Sequence, residues 1–392
     1  MNELLINSFQ PLRLRIEGNG PFPGNPYEID FTDEDGQPCN VFLLMSENGR
    51  GKTTVLEIMS GMMEMLGKQN VTSYGVAGLD NGEFTAQWDI LVHLVEGKKK
   101  HIIVLSLLAG KFIVASDSRF IWPKNKLQKH GAEKQEIIEV LLMPSLPPTP
   151  HYTFVNQMEN LFREWKGPGS EHVESFGLPS LLHFSAYRDI PKITSQRRQI
   201  SEPDYWGYSP VRKFSSHSTS WENSLDNVLV WMKWLDDGRL EKAVDIINKR
   251  VFQGSTTFLK GVRKTPPEAI VVSKGQEHGL DRLSSGEKNL VQLFLRIGAH
   301  CTRNSIILID EPEIHLHPNW QKRLMKQLRE FAQEHPGITI ILATHSIEML
   351  RAFGFEHKEK GLRKGGEIVE ENIVGQEQFS AKILNNTRNG VL

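Results

Sequence analysis

The feature that most constrains this chain is a nine-residue loop, Ser46-Glu47-Asn48-Gly49-Arg50-Gly51-Lys52-Thr53-Thr54. It follows an apolar run, Asn40–Met45, and precedes TTVLEIMSGMMEML, in which Val55, Ile58, Met59 and Met62 recur at helical spacing. An unbroken apolar strand is what a sheet buried on both faces requires, so this strand–loop–helix unit predicts an α/β core. Backbone N–H groups at a helix N-terminus, helped by the helix dipole, are suited to wrapping phosphates. Gly49 and Gly51 let the backbone come close without a Cβ clash. Lys52 is placed to reach β- and γ-phosphate oxygens, and the Thr53 hydroxyl to complete Mg²⁺ coordination. Asn48, Arg50 and Thr54 complete the candidate nucleotide-binding set. One position departs from the usual pattern: it opens with Gly, and here that residue is Ser46.

A second apolar strand, Ser305–Ile309, delivers Asp310 and Glu311 to its C-terminal end. Ligands of open α/β sheets bind at that edge. Asp310 is therefore a candidate Mg²⁺ carboxylate through a water, and Glu311 a candidate general base for the attacking water. Alone, an acidic strand end is weak evidence, and the weight comes from its neighbours.

Upstream, Leu283-Ser284-Ser285-Gly286-Glu287-Lys288 opens a helix carrying Leu290, Leu293, Phe294 and Ile297 on one face. Ser284 to Glu287 reads as a capping box. It also resembles the signature of ABC-type ATPases, usually LSGGQ, in the branch allied to SMC and RecF. Ser285 stands at the third-position Gly of that pattern and Glu287 at its Gln. The resemblance implies that Ser284, Ser285, Gly286 and Glu287 act in trans, on the γ-phosphate held by a second copy, with ATP and Mg²⁺ as cofactors. Gly286 precedes Asp310 by 24 residues, and His345, ending the strand Ile338–Thr344, follows by 35. His345 is similar to the switch histidine that touches the γ-phosphate in this family. The resemblance covers residues 1–115 and 283–346.

The stretch Asp310-Glu311-Pro312-Glu313-Ile314-His315-Leu316-His317-Pro318 resembles OLD-like and related bacterial ATPases rather than transporters. There it implies a loop at a dimer interface. His315 and His317 offer a metal pair only weakly, since no further ligand lies at suitable spacing. OLD-type proteins carry a nuclease after the ATPase, but the short stretch following Ser346 shows no paired-carboxylate motif. The expectation is thus a separate effector protein, a nuclease, as in the antiphage ATPases of Septu, PARIS and retron systems that this chain resembles. The expected role is an ATP-hydrolysing sensor or regulatory scaffold, working as a homodimer or a higher oligomer built from dimers.

The competing reading is a RecF- or SMC-like DNA-repair clamp. Its support is Lys98–Lys100, Lys124, Lys126, Lys129 and Arg197-Arg198, each also readable as a solvated turn or loop. A transporter subunit is a third class. Composition favours no partner: net charge is −1, with 39% hydrophobic and 24% charged residues. Two cysteines far apart exclude a disulfide framework, which fits a reducing compartment. No apolar run approaches the roughly 18 residues that span a bilayer, so a soluble, cytoplasmic protein is expected, without a membrane partner.

The fold expected is an ABC-type P-loop ATPase head: a central mixed sheet, an antiparallel β lobe and a mainly helical insertion. The divisions are 1–115 (head with phosphate loop), 116–275 (insertion or helical lid) and 276–392 (head with signature, acidic pair and histidine). Leu12–Phe31 reads as two short strands around a Gly/Pro turn, and Glu83–Ala115 as β-rich with a turn at Lys98–His101. Gln157 is a candidate glutamine-loop residue or a surface Gln. Tyr187-Arg188, after the strand LLHFSA, either approaches the nucleotide or ends the strand. Trp221, Trp231 and Trp234, with Val228, Leu229, Met232 and Leu235, read as core or lid packing, with a docking face as the alternative.

Overall fold

The computed structural model describes residues 4–18, 20–22, 25–66, 72–110, 119–139, 177–188, 190, 192–193, 198–203, 206–215, 220–354 and 361–368. Gln157 and Arg197 lie outside the described residues. The first part of the chain runs β1 (Leu4–Gly18), β2 (Tyr27–Asp30), β3 (Val41–Met45), α1 (Lys52–Met65), α2 (Ala77–Asp80), β4 (Phe84–Glu96), β5 (Lys99–Ala109), α3 (Lys124–Lys129) and β6 (Lys134–Glu139). Then follow β7 (Leu181–Phe184), β8 (Val211–Phe214), α4 (Leu225–Leu235), α5 (Arg239–Arg250), β9 (Thr257–Lys264), β10 (Pro267–Ser273) and β11 (Gln276–His278). The last part holds α6 (Ser285–His300), β12 (Ile306–Asp310), α7 (Pro318–Glu334), β13 (Thr339–Thr344), α8 (Ile347–Phe353) and β14 (Lys364–Ile368).

Six strands form the central sheet in the order β14-β3-β13-β12-β7-β8. A mixed sheet was expected, but every pairing here is parallel. The reason is visible in the strands themselves: β3, β12 and β13 are buried at every residue, the pattern of a sheet covered on both faces. Alternation splits each strand between two cores. Phe42, Leu44, Ile306, Leu308, Ile341 and Ala343 face the core shared with α1 and the N-terminal lobe. Val41, Leu43, Ile307, Ile309, Ile340 and Leu342 face the core shared with α4 to α8. Burying one such side chain contributes about 1.5–3 kcal/mol, so the strand ends form a rigid platform.

The N-terminal lobe is a five-stranded sheet, β2-β1-β4-β5-β6. It is antiparallel except at its edge, where β6 runs parallel to β5. Here Leu12–Phe31 gives one long strand from Leu4 and one short strand, and Lys99 and Lys100 begin β5 rather than sit in a turn.

The stretch 116–275 differs most from expectation. It supplies two strands of the central sheet, β7 and β8, and the β9–β10 hairpin, alongside α3, α4 and α5. The apolar run LLHF of β7 is legible as a strand though not as part of this sheet, and β8, VRKF, is too short to show a period against the surrounding polar sequence. On α4, Val228, Leu229 and Met232 are core residues and Trp221 is buried before it, whereas Trp234 is 59% exposed and stacks on Trp231 at 4.8 Å.

Candidate functional site

Parallel strands put all their C-terminal ends at one edge. β3, β13, β12 and β7 are neighbours there, so the residues that follow them meet: the 46–54 loop, His345, Asp310-Glu311 and Ser185–Arg188. Three of these four were expected from sequence. For the fourth, the sequence offers Tyr187-Arg188 as approaching the nucleotide or as simply ending the strand, and Arg188 is instead buried behind the acidic pair.

In the loop after β3, Gly49 and Gly51 have φ of 82° and 84°, where an L side chain is strained, and Gly51 caps α1. Ser46 is fully buried and is not among the residues with positive φ, so its Cβ carries no backbone penalty at the place where the usual pattern has Gly. Lys52 folds back on the loop, its Nζ donating to the Ser46 carbonyl at 2.8 Å and the Glu47 carbonyl at 2.9 Å.

Thr53 Oγ1 donates to Asp310 Oδ2 at 2.8 Å, which joins the loop to the acidic strand end. The other carboxylate oxygen, Asp310 Oδ1, is buried with no hydrogen-bond partner. Burial pushes the Asp310 carboxyl above its usual range; the Thr53 bond opposes this and the neighbouring Glu311 charge adds to it. A buried carboxylate oxygen left open beside a hydroxyl is the donor set a hard, oxygen-seeking cation takes when most of its shell is water and phosphate. Thr53 and Asp310 therefore fit Mg²⁺. Among the described residues there is no group of three or more His, Cys, Asp or Glu that could hold a metal by itself. His317 instead caps α7, its side chain accepting from the Asn319 N–H, and His315 is an exposed loop residue.

Glu311 has φ of 42°, an uncommon conformation for a non-glycine residue. Its Oε1 lies 3.4 Å from His345 Nδ1. Glu313, which sequence reasoning did not single out, completes this arrangement. Its buried Oε1 accepts from Thr344 Oγ1 at 2.6 Å and from the His345 N–H at 3.1 Å, and lies 3.2 Å from His345 Nδ1. His345 is thus held between two carboxylates at the end of β13, with its side chain 45% exposed. The alternation Glu311-x-Glu313 is the only sequence trace of this pairing.

Arg188 is 4% exposed. Its Nη1 donates to the carbonyls of Ser185 and Asp310, its Nη2 to the carbonyl of Glu311 at 2.8 Å, and its Nε to Asn289 Oδ1 at 3.0 Å. It stands behind the acidic pair and grips its backbone. Burial brings its pKa down to about 10, opposed by the charges of Asp310, Glu313 and Glu311. Tyr187 beside it is 71% exposed.

At the start of α6 the expected capping box is present. Ser284 Oγ accepts from the Glu287 N–H, while Glu287 Oε2 accepts from the Ser284 N–H at 3.0 Å. Ser284 and Ser285 are exposed. Gly286 sits against the loop after the acidic pair: a Cβ there would lie 3.3 Å from the His315 carbonyl and from Leu316, tight contacts that favour glycine. The described basic residues considered for DNA stand on other parts of the chain. Lys124, Lys126 and Lys129 are on the short α3, and Arg198 pairs with Glu268.

The family described as "AAA domain, putative AbiEii toxin, Type IV TA system" matches residues 208–351, which contain the signature, the acidic pair and His345. The "Retron Vc95 probable ATPase" of Vibrio cholerae serotype O1 biovar El Tor is 33% identical over 97 residues, 22% of this chain and 18% of that protein. The phosphonates import ATP-binding protein PhnC of Staphylococcus aureus is 35% identical over 89 residues, 23% of this chain and 32% of that protein. The chain thus spans a third or less of these curated relatives. The SMC head domain from Thermotoga maritima overlays with a TM-score of 0.37 at 14% identity, covering 88% of this chain and 92% of that one, and at that score it adds no argument. No helix among the described residues is long and apolar enough to cross a membrane. By the family match over residues 208–351 and the local relatives, the part of the chain that carries the signature, the acidic pair and His345 is similar to AAA-type and ABC-type ATPases, a retron ATPase among them.

Proposed function

We propose that this chain binds ATP with Mg²⁺ between two copies of itself and hydrolyses it. The observation that carries the reading is the convergence at one sheet edge of the Lys52 loop, the Thr53–Asp310 bond with its open carboxylate oxygen, and His345 beside Glu311. Backbone N–H groups from Asn48 to Thr54 receive the phosphates at the N-terminus of α1. Lys52 exchanges its two loop carbonyls for phosphate oxygens. Thr53 and Asp310 would hold a Mg²⁺ ion, which would supply neutralisation of the charge developing on the phosphates. Glu311 orients the attacking water and takes its proton, and His345, braced by Glu313, donates toward the γ-phosphate.

Ser284, Ser285, Gly286 and Glu287 close over the triphosphate of the second copy. The exposure of Ser284 and Ser285 at the N-terminus of a 16-residue helix supports this, since an anion is favoured there and no described residue covers the two serines. The contact is isologous, each copy supplying one loop and one signature turn, so two sites form at once.

The similarity to a retron ATPase supports a cytoplasmic role in antiphage defence, the ATP cycle holding or releasing a separate effector, a nuclease. A direct test is Glu311→Gln. It should bind ATP as the wild type does, slow turnover about a thousandfold and accumulate as an ATP-bound dimer in light scattering. Unchanged turnover would remove Glu311 as the base. In cells carrying the neighbouring genes, the same variant should change phage plaque counts, and an unaltered count would remove the defence role while leaving the ATPase reading intact.

A further inference from the structure

Glu311 raises a question its own side chain does not answer: what holds a non-glycine residue at φ 42° at the end of a strand. Such a conformation persists only when the surroundings over-determine it. On one side the Glu311 N–H donates to the Ala343 carbonyl at 2.8 Å, an ordinary link to β13. On the other, the Arg188 guanidinium reaches the carbonyls of both Asp310 and Glu311. A planar fork is suited to two neighbouring acceptors in a way an ammonium is not.

Asn289 connects this grip to the signature helix. It is 1% exposed, five residues after the capping serine, and both ends of its amide are used. Oδ1 accepts from Arg188 Nε at 3.0 Å, and Nδ2 donates to the Ile314 carbonyl at 2.9 Å, in the loop that follows the acidic pair. Gly286, one turn earlier on the same helix, lies against that loop at His315 and Leu316. The start of α6 is therefore fastened to the acidic strand end at two places: through Arg188 to the carbonyls of Asp310 and Glu311, and directly to Ile314. None of these bonds uses a carboxylate oxygen, so Glu311 keeps its side chain for chemistry while its backbone is fixed.

We propose that Arg188 and Asn289 are positioning residues: together they hold the backbone of Glu311 in its reactive orientation and make it move as one unit with the signature helix. The proposal rests on the ATPase reading above and adds to it. The turn of one copy that closes over a neighbour's triphosphate is mechanically tied to that copy's own general base, which works at the other site of the pair.

The test is Asn289→Ala, a substitution well tolerated inside a helix, with Arg188→Lys as the second variant. ATP turnover, ATP affinity and melting temperature are measured for each on the full chain. Affinity and dimer trapping are read in a Glu311→Gln background, where hydrolysis does not interfere. The expected result for Asn289→Ala is a kcat about tenfold below wild type, with ATP affinity and trapping within about twofold. Arg188→Lys should lower kcat further, because Lys cannot span both carbonyls. A merely structural role would lower the melting temperature and the active fraction while leaving kcat per ATP-binding protomer unchanged, and that outcome overturns the proposal. A wild type that turns over no ATP would instead remove the ATPase reading, and this inference with it.

Discussion

Two buried aspartates, one in each main sheet, show how this molecule separates structure from chemistry. Asp89, in the N-terminal lobe, is fully buried and fully partnered. Its Oδ2 accepts from Arg13 Nε at 3.1 Å, Arg13 Nη2 at 2.7 Å and Trp122 Nε1 at 3.0 Å; its Oδ1 accepts from Gln87 Nε2 at 2.8 Å and Ser106 Oγ at 2.6 Å. Arg13 in turn lies 3.5 Å from the Phe120 ring centroid. Nothing is left over for a ligand. Asp310, at the edge of the parallel sheet, has one oxygen on Thr53 and the other open and buried. An unsatisfied buried carboxylate is expensive, and this one stands beside the Thr53 hydroxyl at the start of α1. Burial alone does not identify a site; at Asp310 an open oxygen coincides with the Thr53 hydroxyl and the end of the phosphate loop.

The comparison can be broken by exchanging the two roles. Asp89→Ala strands the Arg13 guanidinium in a dry interior, which should cost about 3–5 kcal/mol of stability. Asp310→Asn removes a disfavoured charge and keeps an acceptor for Thr53, so it should melt at or above the wild-type temperature, yet lose turnover by about a hundredfold or more. Calorimetry and an ATPase assay on both proteins check this. If Asp310→Asn melts well below wild type, the distinction fails.

Asp226, at the start of α4, is an intermediate case and sharpens the comparison through pH. Its Oδ1 accepts from the Ala269 N–H at 2.8 Å, and burial raises its pKa from 3.8 to about 6, with the Ala269 bond and the Arg198 charge opposing. A folded pKa above the unfolded one means that the contribution of this group is complete below about pH 4 and is lost as pH rises through about 6. Asp226→Asn keeps the acceptor and never ionises. It should match the wild type in melting at pH 4 and gain about 1–3 kcal/mol over it at pH 7.5. A difference independent of pH would show that Asp226 does not titrate in this window.

The sequence makes the strand–loop–helix of residues 41–65 legible because each part carries its own local signal: an apolar run, paired glycines, helical spacing. The capping box at Ser284 and the acidic pair at 310–311 are legible for the same reason. What escaped was non-local. Arg188 finds Asp310 and Glu311 more than a hundred residues away, and Asn289 also lies about a hundred residues from it. Spacing in the chain carries no record of such a contact. Glu313 escaped although it stands beside Glu311, because its partners Thr344 and His345 come from the next strand. β7 reads as a strand from its apolar run LLHF but its place in the central sheet is non-local, and β8 is hidden in polar sequence, so a stretch expected to be a mainly helical insertion completes that sheet.

The central claim is that each ATP site is shared: Lys52 from one copy, Ser284 and Gly286 from the other. Mixing two inactive proteins tests it most directly. Lys52→Ala lacks the loop lysine but keeps the signature turn; Ser284→Arg keeps the loop and blocks the turn. Each alone should be inactive, whereas an equimolar mixture allowed to exchange subunits should recover about a quarter of wild-type turnover, since half of the dimers then hold one intact site of two. A mixture as inactive as its components would contradict the shared site.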